Sequence, residues 1–308
     1  MIATILVPLD GSPFAEAALP SARWIASRVS AQLHLFLAHQ PVPVLVGVAE
    51  ALASAPAPDL EAIKQERSYL DDVVSRLGSV GGGEVKTDFG GGPAGVAIVE
   101  EAARIGADLI VMATHGRGAL GRLWQGSVAD HVVRHSSVPI LLIRPEEPGT
   151  PAEEPDIRGI LVPLDLSAIS RTILDPVVEF ALFAKAPVTL LYVVQRLSQA
   201  FVPGVPYPIS EDPVLTDLQR ANAECRLEEV AGALRLRGIV VSTRVVIAAH
   251  AAAGVLDTLA EPGHDMVALA THGAGGIRRL LVGSVADQVI RGASKRVLVI
   301  RPPEVLQH

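Results

Sequence analysis

The chain has 308 residues, 49% of them hydrophobic and 19% charged, with a formal net charge of −7. That suits two cores of about 150 residues each and excludes a disordered polymer. The acidic balance, with no basic run, speaks against nucleic acid as a partner, and no apolar run is long enough to span a bilayer.

In chain order, residues 2–9 read as a strand. They carry neither a charged leader nor a small-residue cleavage site, so the expected location is the cytoplasm. Further strands are expected near 33–39, 84–89, 108–113 and 139–143, with helices near 13–29, 59–77, 94–105 and 126–135. Ile63, Leu70, Val74 and Leu77 give the second helix an apolar stripe at helical spacing. The first, fourth and fifth strands are continuous apolar runs, as when both faces of a sheet are covered. Strand–helix alternation implies right-handed crossovers and a parallel sheet. Segments 41–58 and 196–213, rich in Pro and small residues, read as long loops after the second strand of each half.

The chain is one fold written twice. Ile5-Leu6-Val7-Pro8-Leu9-Asp10 returns as Ile160-Leu161-Val162-Pro163-Leu164-Asp165, an offset of 155 residues, and Ile143-Arg144-Pro145 returns as Ile300-Arg301-Pro302 at an offset of 157. A period of this length marks duplicated domains, not a solenoid of short units. The expected boundaries are 1–146 for the first domain, 147–156 for a Pro- and Glu-rich linker, and 157–303 for the second.

Two polar motifs recur at strand ends. Pro8-Leu9-Asp10-Gly11-Ser12 follows the first strand. Ala113-Thr114-His115-Gly116 follows the fourth; nine residues on comes Gly126-Ser127-Val128-Ala129-Asp130. The second copy has Ala270-Thr271-His272-Gly273, the same spacing, then Gly283-Ser284-Val285-Ala286-Asp287. In open α/β sheets, ligands sit outside the carboxyl ends of strands where the strand order reverses. Ser127 is expected to cap the helix it opens. The free amides of such a first turn attract an anion, and Gly116 and Gly126 let a backbone approach it closely. Asp10 is placed to accept from a sugar hydroxyl, and Arg122 and Arg279 could offset phosphate charge.

Ser127 alone reads as a cap and Gly116 alone as a turn; their repetition at equal spacing favours ligand binding. His115 and His272 read as fixing loop geometry. His34, His131, His135 and His264 show no repeated metal-ligand spacing and read as incidental. The run 116–121 matches G-x-G-x-x-G literally, but it follows the wrong strand and loses its last glycine in the second copy, so it reads as chance. The single cysteine, Cys225, excludes an intrachain disulfide; its helical surroundings suggest a buried or half-buried thiol.

These motifs resemble the universal stress protein family in its tandem two-domain form, over about the whole chain. The resemblance implies two doubly wound α/β domains, each a five-stranded parallel sheet of order 3-2-1-4-5 with helices on both faces, packed as a pseudo-dimer through their last strands. A homodimer of two chains is left open. The resemblance also implies ATP, with Mg²⁺ carried on the phosphates. Its first site would use Pro8, Asp10, Ala38, Met112, Ala113, Gly116, Gly126, Ser127 and Val128. Its second would use Pro163, Asp165, Val193, Leu269, Ala270, Gly273, Gly283, Ser284 and Val285. The family's first motif glycine is replaced by Ala113 and Ala270, whose Cβ is expected to crowd the ligand or bend the backbone. Leu166 stands where the first copy has Gly11, so the first site is expected to bind more tightly. The expected role is a nucleotide-dependent stress-response or signalling module with at most slow hydrolysis. The alternatives are a protein acting through protein contacts alone and, further off, an adenine-nucleotide-dependent enzyme.

Overall fold

The structure, a computed structural model, describes residues 1–39, 58–81, 83–114, 127–145, 157–195, 213–271 and 282–302. The chain divides into two compact units, each described by itself.

The first half runs β1 (Thr4–Leu9), α1 (Pro13–Glu16), α2 (Leu19–Val29), β2 (Gln32–His39), α3 (Pro58–Leu77), β3 (Lys86–Gly91), α4 (Ala94–Ile105), β4 (Leu109–Ala113), α5 (Ser127–His135) and β5 (Ile140–Ile143). Its strands lie in the order β3-β2-β1-β4-β5, all parallel. The second half repeats this with β6 (Ile160–Pro163), α6 (Ala168–Arg171), α7 (Leu174–Ala184), β7 (Val188–Gln195), α8 (Pro213–Arg235), β8 (Val241–Ala248), α9 (Ala251–Ala260), β9 (Met266–Ala270), α10 (Ser284–Gly292) and β10 (Arg296–Ile300). Its order is β8-β7-β6-β9-β10, again parallel. In each half the order reverses beside the first strand, between β1 and β4 and between β6 and β9.

The apolar runs read from the sequence are the buried sheet centres. Ile5, Leu6, Val7, Ile110, Val111, Leu141 and Leu142 are fully buried, as are Leu161, Val162, Val267 and Ala268. Burying each larger side chain contributes about 1.5–3 kcal/mol. On α3 the deepest residue is Val73, beside Leu70; Ile63, Val74 and Leu77 are half-buried flanks of the expected stripe.

The expected helix over 13–29 is two helices, broken at Ala17 and Ala18. Pro20 has no N–H to offer the carbonyl of Glu16, so the first turn cannot run on. The second half breaks in the same way before Pro176. Cys225 is exposed, not buried. The buried stripe of α8 is Ala223, Leu227, Val230, Ala231 and Leu234, and Cys225 falls between its rows. Of the expected loops over 41–58 and 196–213, Pro58 and Pro213 open helices; the rest lies outside the described residues, as do the linker 147–156 and the run 116–121.

One device fixes where each first strand starts. Asp108 Oδ2 accepts the backbone N–H groups of Ala3 and Thr4, at 2.7 and 3.0 Å. Asp265, its counterpart, accepts the N–H of Arg158 at 2.8 Å and that residue's guanidinium besides. Burial pulls the Asp265 carboxyl upward, but its bonds to Arg158 prevail and hold it below the usual range.

Candidate functional site

The strand-one motif folds as the same small turn in both halves. Asp10 Oδ1 accepts the N–H and the Oγ–H of Ser12, at 2.9 and 2.6 Å. Ser12 is in turn the N-cap of α1, its Oγ accepting the N–H of Ala15 at 3.2 Å. Asp165, Ser167 and Ser170 repeat this at 2.9, 2.6 and 3.1 Å. Both aspartates are exposed at the carboxyl end of their strand. The residue between Asp and Ser takes a left-handed backbone: Gly11 at φ 82° and Leu166 at φ 62°.

The parallel order brings the other expected residues to the same end of each sheet. Pro8 and Met112 are buried, and Ala38 and Ala113 half-buried, at the ends of β1, β4, β2 and β4. In the second half Leu269 is buried, and Pro163, Val193 and Ala270 are half-buried. Gly116, Gly126 and Gly273 lie outside the described residues, with His115, Arg122, His272 and Arg279. Ala113 and Ala270 close regular strands in register with Ile143 and Ile300 and need no left-handed backbone. The expected distortion from their Cβ atoms is absent at these two residues.

The serine of the Gly-Ser pair does not cap its helix. Gly283 is the N-cap of α10, at φ −58° and ψ 148°, and Ser284 is the first helical residue. The Gly283 N–H donates to the Thr271 carbonyl at 2.7 Å, tying this turn to the end of β9. The first intrahelical bond runs from Asp287 back to Gly283. The N–H groups of Ser284, Val285 and Ala286 therefore have no acceptor inside the helix. Helix α5 likewise begins on Ser127 itself. Ser127, Ser284 and Val285 are exposed, and Val128 and Gly283 half-buried. One turn in, Asp130 takes Arg134 at 2.8 Å, and Asp287 takes Arg291 at 2.7 and 3.0 Å, so the acid nearest each helix start is paired.

In the first half, two helix starts face one cavity of about 550 Å³, lined by Gly92 to Val96 at the head of α4 and by Ser127, Val128 and His131 of α5. Pro93 supplies no side-chain cap to α4. A Cβ at Gly95 would come within 2.7–3.0 Å of the His131 side chain, so glycine is what lets these helices approach. His131 stacks on His135 with ring centroids 4.0 Å apart. Burial, followed by the His135 ring, holds its pKa below the ordinary histidine value. His131 is thus not incidental to this cavity; its place one helical turn after Ser127 is the sequence signal for it.

His34 also has a partner that its sequence position does not reveal. Its Nε2 lies 2.9 Å from Asp88 Oδ2, and with Glu101 these groups fall within 4.8 Å of one another. Arg104 already occupies both carboxylates, its Nε and Nη2 on Glu101 at 2.7 and 2.6 Å and its Nη2 on Asp88. The cluster is therefore satisfied by a guanidinium.

The sequence pattern described as the universal stress protein family matches residues 1–144 and again 157–301. The chain belongs to the universal stress protein family. A universal stress protein of Mycolicibacterium smegmatis is 26% identical over 307 residues, covering 97% of each chain. One from Thermus aquaticus is 35% identical over 146 residues, its whole length and 47% of this chain. One from Mycobacterium tuberculosis is 27% identical over 197 residues, a match spanning 63% of this chain and 62% of that one. Among solved structures, a universal stress protein of Archaeoglobus fulgidus superposes with a TM-score of 0.65 at 17% identity, covering 98% of this chain and 97% of that one. A second, from Pseudomonas aeruginosa, gives 0.67 at 18%, covering 99% and 95%. These two likenesses establish the tandem universal stress protein fold. Among the described residues no helix is long and apolar enough to cross a membrane.

Proposed function

We propose that this chain binds an adenine nucleotide, ATP, at the carboxyl end of the first sheet and acts as a nucleotide-dependent stress-response module with at most slow hydrolysis. One observation carries the reading: two helix starts, α4 and α5, open on one cavity at Ser127 and Val128. Their first-turn amides and dipoles suit a chain of phosphates. The exposed Asp10 carboxylate, steadied by Ser12, suits a ribose hydroxyl. Mg²⁺ would arrive on the phosphates, with Pro8, Ala38, Met112 and Ala113 beneath the nucleoside. His131 is held towards its neutral form, so the amides rather than a histidine cation supply the positive field. The domain limits 1–146 and 157–303 and a cytoplasmic location belong to the same reading.

Nucleotide released from the purified protein by denaturation, identified by mass spectrometry, is the first test. Protein that is empty and shows no thermal shift in millimolar ATP would pass the case to a role in protein contacts alone. Replacing Gly126 with a bulky residue should abolish ATP binding by the first half; unchanged affinity would reject the placement. Titrating the separated halves ranks the two sites, and tighter binding by the second would reverse the order proposed.

A further inference from the structure

Of the chain's nine histidines, only His131 and His135 stand four residues apart, and both lie on α5. That spacing sets them one helical turn apart on one face. Their rings are nearly parallel, at 19°, with centroids 4.0 Å apart. His135 Nδ1 lies 2.8 Å from the His131 carbonyl oxygen. A carbonyl only accepts, so this Nδ1 carries the proton and Nε2 keeps a lone pair. His135 is exposed, and the half-buried His131 lines the cavity at the head of α4. Among the described residues none hydrogen-bonds the His131 ring and no carboxylate pairs with either histidine. The nearest acid in sequence, Asp130, takes Arg134 at 2.8 Å.

The second half has no such pair. Gln288 and Gly292 stand at the places of His131 and His135, and Ala252 stands at the place of Gly95. Gly95 is the residue whose missing side chain leaves room for the His131 ring. The two histidines and the space for one of them are therefore not part of the fold that both halves share. Two histidines four residues apart on one helix face are a chelating arrangement. The bond from His135 Nδ1 to a backbone carbonyl is the support that a metal-ligating imidazole makes through its other nitrogen. In a tetrahedral zinc site, nitrogens at about 2.0–2.1 Å from the ion stand about 3.3 Å apart, so rings with centroids 4.0 Å apart need only small rotations to share one ion.

We propose that His131 and His135 together bind a divalent transition-metal ion of the zinc class, one ring nitrogen of each serving as ligand. The remaining coordination positions go to water or to a ligand in the cavity that His131 lines. Imidazole suits zinc, copper and nickel, whereas magnesium prefers oxygen ligands, so this ion differs in kind from one carried in on phosphates. The three residues between the histidines, Val132, Val133 and Arg134, include no carboxylate to serve as a base. The site binds metal without the hydrolytic partner that the same spacing carries in metalloproteases. Neither histidine belongs to the nucleotide reading above, and the metal site does not depend on it.

The test is calorimetric titration of the full chain, free of affinity tags and stripped with chelator, with Zn²⁺ and separately with Mg²⁺, both without nucleotide. Zn²⁺ should bind and Mg²⁺ should not compete with it. His135→Gln, at an exposed position, should weaken zinc about tenfold or more, as should His131→Gln, since each removes a ligand rather than a supporting bond. His135→Cys, which restores a zinc ligand, should recover affinity that His135→Gln loses. His34→Gln, in the cluster already filled by Arg104, should leave zinc affinity unchanged. Absence of zinc binding by the parent, zinc affinity within twofold of the parent in His135→Gln, or its loss in His34→Gln instead would overturn the proposal. Zinc binding sensitive to His135 in a chain that does not bind ATP would uphold this site while the nucleotide reading fails.

Discussion

Leu166 accepts a backbone angle that costs a leucine roughly 1–2 kcal/mol, and burial of its side chain offsets a similar amount. Lys295 shows the reverse economy, one side chain serving several backbone groups. Helix α4 ends on Gly106 in a left-handed cap that satisfies its last carbonyls. Helix α9 ends on Glu261 in an extended conformation, and Lys295 Nζ donates instead to the carbonyls of Leu259, Glu261 and His264, at 2.6, 3.1 and 2.6 Å. Lys295→Met should therefore cost about 1–3 kcal/mol, read as a lower urea midpoint at unchanged slope. A midpoint like the parent's would show that water replaces the ammonium without loss. The histidines predict a pH dependence. Burial, as the leading cause, lowers the pKa of His34, His131 and His264 from the ordinary histidine value of 6.5. The unfolded chain then binds more protons than the folded one, so stability falls as pH drops through about 6.5 towards the folded values. His34→Gln should flatten that limb in thermal unfolding between pH 7.5 and 5; a parent curve level over this range would contradict the assignment.

At the scale of elements, the two halves solve one tie with opposite charges. In the first, Asp88 on β3 pairs with Arg104 at the end of α4; in the second, Arg244 on β8 pairs with Glu261 just after α9. The difference lies behind the pair. Glu101, only 7% exposed, depends on Arg104, whereas Thr258 at its place bonds the Gly254 carbonyl at 2.7 Å. Arg104→Ala should therefore lower the thermal midpoint more than Arg244→Ala, because it strands a buried carboxylate rather than an exposed one. Equal shifts would mean that Glu101 takes up a proton or finds water. This swap was not legible in the sequence, since neither half repeats the other's residues and each pair joins a strand to the end of the following helix. The elements themselves were legible, as periods of two and of 3.6 survive without any knowledge of partners. The break before Pro20 could have been read from its missing N–H. The position of Ser127 and Ser284 inside their helices could not, because an N-cap and a first helical residue differ only in backbone angles.

On the scale of the whole molecule, each half carries its own buried sheet centre and its own copy of the Asp-Ser turn. Residues 1–146 and 157–303, expressed apart, should each show α/β circular dichroism and a cooperative thermal transition. A half that stays unfolded alone would show that its core needs the other. The sequence by itself determined the duplication, the parallel α/β class and the placing of both polar motifs at strand ends. Those follow from local pattern and spacing, which the chain carries residue by residue. Only the tertiary structure decided that two helix starts meet over His131, that Gly95 leaves room for its ring, and that His34 meets Asp88. Such meetings join residues from different elements, and crossover connections, not sequence neighbours, set the distances between them.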